Sequence, residues 1–329
     1  MAVVLVHLMA VFPGTIYTAY SWSTLAVAFQ VLVRFSVPLF LALSGYGLAR
    51  KYARQTFSWS EFLGRRLGKL LPLYFLWSGV HFVSFYLVPQ WRIMSVYPLG
   101  ETLLWGLADY QLYFVPLILQ FYLLFPWLNR LSKKSLLLTL GLSILLQIAV
   151  IVSLRQSFSD PHWLGISWPS WWTADQMQYR FGFNWLAYFV LGVLLGKYSW
   201  RPAWSHWLKI FAMAGMGLGL IWGVANATRL IRATGNITYA TGFLHLPILL
   251  FSLGIIGLFL SDESMWRKLP AKLSSWFNNL GRDSYLIFLS HTLVLRLLFS
   301  ALQGNVSWLI WLSLAGLFAG SWYVSQRLS

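Results

Sequence analysis

Long apolar runs separated by short polar or basic stretches make up almost the whole chain. They fall at about residues 1 to 20, 24 to 48, 70 to 88, 110 to 128, 135 to 154, 183 to 197, 207 to 226, 242 to 260, 283 to 301 and 306 to 325. Most approach the roughly 20 residues that an α-helix needs to cross a bilayer. The pattern therefore predicts an all-α, polytopic transmembrane helix bundle of about ten spans. The sixth run is short and is expected to be tilted, extended or partly re-entrant. No soluble domain fits in the gaps, and there is no repeat or linker, so residues 1–329 read as a single transmembrane domain.

The basic residues give this bundle a direction, because cytoplasmic loops retain Lys and Arg. Arg50, Lys51, Arg54, Arg65, Arg66 and Lys69 lie in one connection, and Arg130, Lys133 and Lys134 two connections later. Lys197, Arg201 and Lys209 follow on the same side, then Arg267, Lys268, Lys272 and Arg282, and finally Arg327. The alternate connections hold only Arg92, Arg155, Arg180, Arg229 and Arg232. Both termini are then expected to be cytoplasmic.

Composition narrows the choice of class. At 58% hydrophobic and 10% charged, the chain cannot cover a water-exposed surface, which excludes a cytosolic enzyme and a disordered chain. A net charge of +16 would suggest nucleic acid in a soluble protein. Here the cations sit between apolar runs as topology signals, and no nucleic-acid partner is expected. The absence of Cys removes disulfides, thiolate metal sites and Cys nucleophiles. Trp59, Trp77, Trp91, Trp127, Trp200, Trp204 and Trp207 fall near proposed span ends, as interfacial belts require. Met1 to Phe12 supply only about 18 Å of helix before Pro13-Gly14, against a hydrocarbon core of about 30 Å. The first run lacks the basic start and small-residue cleavage site of a signal peptide. It is expected to be the remainder of a helix that begins upstream of Met1.

Ionisable groups inside spans cost about 2.5 to 3.5 kcal/mol at mid-membrane, so each asks for a partner or a function. His7, Arg34 and Arg296 are the three that stand out. His7 suits either acid–base chemistry or a packing hydrogen bond. Arg34 suits either an interhelical partner or an anion site for phosphate or carboxylate. Arg296, nearer a span end, is expected to snorkel. His81, His162, His206, His245 and His291 form no pair with metal-ligand spacing, and no metal is expected. In Phe62 to Pro72, Arg66 and Lys69 are three apart and share a helical face beside the membrane, where they suit phosphates or anionic lipid head groups. Glu101 and Asp109 lie before the fourth span, and Asp160, His162, Asp175, Gln176, Gln178 and Arg180 before the sixth. The second group is interleaved with Trp163, Trp168, Trp171 and Trp172, a combination that suits either carbohydrate or interfacial anchoring.

Several of these stretches together resemble the acyltransferase-3 family of polytopic membrane O-acyltransferases, which modify surface carbohydrates. Val3-Val4-Leu5-Val6-His7 is similar to the family's first-helix histidine, and RFSVPLFLALSGY, Arg34 to Tyr46, to its PLFF-LSGY stretch. FLGRRLGKLLPLY resembles its basic juxtamembrane motif, and LYFVPLILQFYLLFP, YFVLGVLLG and LGRDSYLIFLSHTLVL its later helices. The order and spacing of these pieces run over nearly the whole length. Two positions depart from the pattern. The family's Arg about ten residues before the histidine would precede Met1, and Lys69 stands where many members have a second Arg.

The resemblance implies an O-acyltransferase of a bacterial cytoplasmic membrane that moves an acyl group, most simply acetyl, from cytoplasmic acyl-CoA. The acceptor would be a hydroxyl of a cell-surface carbohydrate or lipid-linked glycan. His7 and Arg34 would be catalytic: His7 as general base or transient acyl carrier, Arg34 as anion or oxyanion partner. Arg65, Arg66 and Lys69 would hold the CoA phosphates. A rival reading is an exporter of an exopolysaccharide such as poly-N-acetylglucosamine, which needs neither His7 nor a CoA site; a third is an inactive scaffold without the upstream Arg. The predicted topology has a direct check. Alkaline phosphatase fused after Lys134 should be inactive in a bacterial host and active when fused after Asp175; the reverse would overturn the orientation.

Overall fold

The structure, a computed structural model, describes residue 7 and residues 23–52, 58–92, 96–159, 174–198, 202–261 and 270–302. Among them there are helices and turns and no strand. In chain order the helices are α1 (Ser23–Val33), α2 (Ser36–Tyr52), α3 (Trp59–Leu87), α4 (Leu99–Trp105), α5 (Phe114–Arg130) and α6 (Lys133–Ser159). They continue as α7 (Leu186–Lys197), α8 (Pro202–Thr234), the one-turn α9 (Ile237–Ala240), α10 (Leu246–Ser261) and α11 (Ala271–Leu302). Among the described residues, four stretches are long and apolar enough to cross a membrane: Thr24–Tyr52, Trp59–Leu87, Lys133–Leu154 and His206–Thr234. Leu186–Lys197, Leu246–Leu260 and Ser284–Leu298 are shorter apolar helices. The expected first span, His7 apart, and the tenth lie outside the described residues, as does the proposed upstream start.

The helices differ in two instructive ways from the apolar runs. The second run is interrupted: a turn at Arg34-Phe35 separates α1 from α2, and the helix resumes with Leu39 N–H donating to Phe35 O at 2.8 Å. The basic stretch before the third run is not a loop, because α3 starts at Trp59 and carries Arg65, Arg66 and Lys69 on its first turns. Pro72 does not stop it. Hydropathy ends where charge begins, but backbone hydrogen bonding has no reason to.

The chain divides into two compact units, interleaved in sequence. The first comprises residues 1–56, 124–172 and 181–268. Its centre is the packing of α2 on α7. On α2, Val37, Leu41, Gly45, Leu48 and Tyr52 are buried, spaced three and four apart as one helix face requires. On α7, Gly192 and Gly196 form a small-x-x-x-small stripe that lets two backbones approach closely. A Cβ on Gly192 would land on the backbone carbonyl of Ala42, and one on Gly196 would lie 2.5 Å from Tyr46 O. Lys197, at the end of α7, donates to Asn129 O at 2.5 Å and Leu131 O at 2.8 Å, satisfying carbonyls at the end of α5 that the helix leaves unpaired.

The second unit comprises residues 57–123, 173–180 and 269–329. Leu73, Trp77 and Val80 of α3, Leu112 and Val115 around the start of α5, and Leu286, Leu289 and Leu293 of α11 form its core. Side-chain hydrogen bonds tie these segments: Tyr285 donates to Leu70 O at 2.8 Å, Tyr74 to Leu103 O at 2.6 Å and Trp91 to Ser300 Oγ at 3.0 Å. Gly106 ends α4 at φ 65°, a left-handed conformation, and packs so tightly on Leu112 O that a Cβ would fall 2.5 Å away. This turn folds the segment between α4 and α5 back into the unit.

The close approach in the first unit predicts a sharp contrast between two glycines. Gly192→Ala forces a methyl into a carbonyl that cannot move aside, at a cost of about 1–3 kcal/mol. Gly47→Ala enters open space. Thermal unfolding in detergent should show a midpoint several degrees lower for the first and none of that loss for the second; equal midpoints would show that the helices separate readily.

Candidate functional site

Three polar centres can be built from the residues upward, one in the first unit and two in the second. In the first unit, the turn between α1 and α2 presents Arg34 half-buried. Its Nη2 donates to Gln30 Oε1 at 3.2 Å, one turn earlier on α1, and to Thr241 Oγ1 at 3.1 Å. Its guanidinium lies over the Phe243 ring, 4.8 Å from the centroid. These three contacts are with an amide, a hydroxyl and an aromatic face. His7 is helical and half-buried; most of the residues around it in sequence lie outside the described set.

The second centre is the basic start of α3. Arg65 is exposed and paired with exposed Glu61 at 2.6 Å, an i,i+4 contact of the kind worth about 0.3–0.5 kcal/mol in water. Arg66 is half-buried and lies over the rings of Phe62 and Tyr122, 5.8 and 5.5 Å from their centroids. Lys69 is exposed. All three cations fall within two turns of one helix, Arg65 and Lys69 four apart and Arg66 and Lys69 three apart, so the structure brings them onto adjacent ridges.

The third centre was not legible as a site in the sequence. Asp109, completely buried in the turn between α4 and α5, meets Arg296 of α11 in a two-point ion pair. Arg296 Nη1 donates to Oδ2 at 2.6 Å and Nη2 to Oδ1 at 2.8 Å. Thr292 Oγ1 donates to Oδ2 at 3.0 Å, and the backbone N–H of Tyr110 donates to Oδ1 at 2.8 Å. Gln111 Nε2 donates to Thr292 Oγ1 at 2.6 Å, extending the network. The ring of His81, from α3, faces two acceptors: Nδ1 is 3.2 Å from Asp109 Oδ2 and Nε2 is 3.0 Å from Leu289 O. The Arg296 guanidinium also lies over Phe85 and Tyr110, 4.9 and 5.5 Å from their centroids. Burial pushes the Asp109 carboxyl up, but the Arg296 charge and the hydrogen bonds outweigh it and hold the group down at about 2. A carboxyl depressed in the folded state contributes stability above its unfolded value and loses it as pH falls through about 2.

This centre corrects two sequence expectations. Arg296 does not snorkel: it is 5% exposed and points at a carboxylate. Asp109 is not an outer-loop group available to a ligand. Arg180, from the expected polar cluster before the sixth span, is 1% exposed and donates through Nε to Trp105 O at 2.8 Å. Asp160, His162 and the four tryptophans of that cluster lie outside the described residues. The signal that could have found the pair was scarcity. With eight carboxylates in the chain, a cation within a span has few possible partners, and Asp109 borders an apolar run. Among the described residues, no group of three or more His, Cys, Asp or Glu converges as a metal site would.

A comparison with known families gives a match over residues 1–326, to the acyltransferase-3 model described as an acyltransferase domain. No curated protein and no solved structure matches.

The Asp109 network generates a stability prediction. Asp109→Ala leaves Arg296 buried without its counter-charge and should cost about 3–5 kcal/mol, seen as a collapse of folded yield and thermal midpoint. Glu61→Gln breaks an exposed pair and should move the midpoint by no more than a degree or two. Similar behaviour of the two variants would show that water reaches Asp109.

Proposed function

The chain belongs to the acyltransferase-3 family, and from that premise we propose that it is a membrane O-acyltransferase that takes its acyl group from acyl-CoA. Acetyl-CoA is the proposed donor, and the acceptor a hydroxyl of a carbohydrate, either at the cell surface or on a lipid-linked glycan. The proposed location is the bacterial cytoplasmic membrane. The observation that carries the reading is the family match over essentially the whole chain, which includes His7, Arg34 and the basic start of α3.

The chemistry follows from what each residue can offer. A neutral imidazole nitrogen of His7 takes the proton of the acceptor hydroxyl as its oxygen bonds to the thioester carbon. The carbon–sulfur bond then breaks, the acyl group stays on the acceptor oxygen, and the CoA thiolate leaves and takes up a proton. Arg34 offers a positive charge supported by Gln30, Thr241 and Phe243, suited to the oxyanion that forms on the thioester carbonyl or to an anionic part of a substrate. Arg66 and Lys69 suit the CoA phosphates; Arg66 is steadied by two aromatic faces, so less rotamer freedom is lost when it binds. Arg65 joins them by exchanging Glu61 for phosphate, which its exposed and weak pair permits.

The test is turnover of radiolabelled acetyl-CoA by the full chain in nanodiscs. His7→Ala should lower kcat by about 10²–10⁴ if it is the general base. Arg66→Ala and Lys69→Ala should raise KM for acetyl-CoA several-fold with kcat little changed. Binding without turnover in the wild type would point to an inactive scaffold, and absence of both binding and turnover to an exporter. Full turnover by a well-folded His7→Ala variant would remove His7 from the mechanism.

A further inference from the structure

Beside the seam where α1 packs on α8, the first unit carries a groove of about 810 Å³ that the proposed reaction does not use. That volume is within the roughly 300–1,000 Å³ of ligand pockets. The seam is hydrophobic: Val27 and Val31 of α1 meet Ala227 of α8 and Ile248 of α10. The groove is lined by the adjacent stripe of each helix. Thr24, Ala28 and Leu32 recur every four residues on α1, and Leu220, Val224 and Thr228 do so on α8. Among the described residues that line it, all but Thr24, Thr228 and two arginines are hydrocarbon. Ile221 and Leu32, on its walls, are 71% and 43% exposed.

The two arginines, Arg229 and Arg232, stand together at one end, three residues apart on α8 and hence on one face. Both are exposed, and among the described residues neither guanidinium is engaged in a hydrogen bond or ion pair. Arg232 lies in the last turn of α8, where a cation suits the helix dipole; Arg229, a turn earlier, is less well accounted for in that way. By the loop-charge count both also face the outer side, against the general bias of this chain. From Leu220 to Arg232 the groove follows about 18 Å of helix. That is close to one leaflet's share, about 15 Å, of a hydrocarbon core about 30 Å thick.

From this geometry we infer that the groove is a binding site for an anionic phospholipid, with an acyl chain running from Thr228 past Val224 to Leu220 and its phosphate on Arg229 and Arg232. The length suits a chain of one leaflet, the lining suits hydrocarbon, and paired guanidiniums suit a phosphate better than a neutral head group. Among the described residues that line it there is no carboxylate, amide or Trp with which to hold a sugar, and hydrocarbon beside paired cations favours a phospholipid over a glycan carrier. The site does not rest on the acyl-transfer reading, and its test reads lipid rather than turnover.

Native mass spectrometry of the full chain, released from detergent with equimolar dioleoyl phosphatidylglycerol and dioleoyl phosphatidylcholine, is the direct test. The wild type should retain phosphatidylglycerol preferentially. Arg229→Gln and Arg232→Gln should each lower that preference about fivefold, and the double variant about 25-fold. Ala28→Phe, which fills the groove and leaves both arginines, should lower retention of the phospholipid but not of short-chain phosphatidylglycerol. Circular dichroism and gel filtration identify any variant that fails to fold. Equal retention of the two lipids by the wild type, or an undiminished preference in a folded double variant, would overturn the site. Displacement of phosphatidylglycerol by an equimolar polyprenyl phosphate would overturn the choice of occupant in favour of a lipid carrier.

Discussion

Where helices are apolar on most of their surface, no water waits inside to satisfy a polar group, and each must find its partner in the protein. That constraint is clearest at Asp109. Its two oxygens receive a two-point contact from Arg296, a hydroxyl from Thr292 and a backbone N–H from Tyr110, while His81 lies alongside. The left-handed turn at Gly106 returns the α4–α5 segment to the unit, and the Asp109 pair joins that segment to α11. A charge that would be prohibitive alone becomes a tie between segments more than 180 residues apart in sequence.

The same constraint sorts the chain's cations by what they meet. Arg296 meets a carboxylate and is neutralised. Lys197 meets helix-end carbonyls and caps them. Arg34 meets an amide, a hydroxyl and a ring. Arg34 and Arg296 interrupt apolar sequence in the same way, yet they end in different surroundings.

Exposure makes a second distinction. On α3, Arg66 is steadied by rings while Arg65 and Lys69 remain in contact with solvent, a combination that provides orientation and access on one short stretch of helix. On α8, Arg229 and Arg232 stand at the end of a hydrocarbon groove, so charge and apolar surface are adjacent and match an amphiphile. Exposed cations that suit phosphate are common to both places. What borders the cations differs, and with it the kind of molecule each favours.

The all-helical, multi-pass character was legible from the sequence because burying backbone in lipid allows few alternatives, and run length and composition report on that directly. The family was legible from ordered short motifs. Helix ends were less so: the basic segment before the third run reads as a loop by hydropathy, yet Trp59–Leu87 is one helix, since a charged side chain does not prevent the backbone from continuing. Pairing was the least legible, with only the scarcity of carboxylates to narrow the choice. Arg34 and Arg296 each appear as a single cation in an apolar run, and nothing local says that one will meet Thr241 and the other Asp109. Those partners are about 200 residues away in sequence, brought near only when helices pack, and packing is set by close approaches such as Gly192 on Ala42 that a one-dimensional pattern does not encode. The sequence by itself determined that the charges would need partners; the tertiary structure decided which they were.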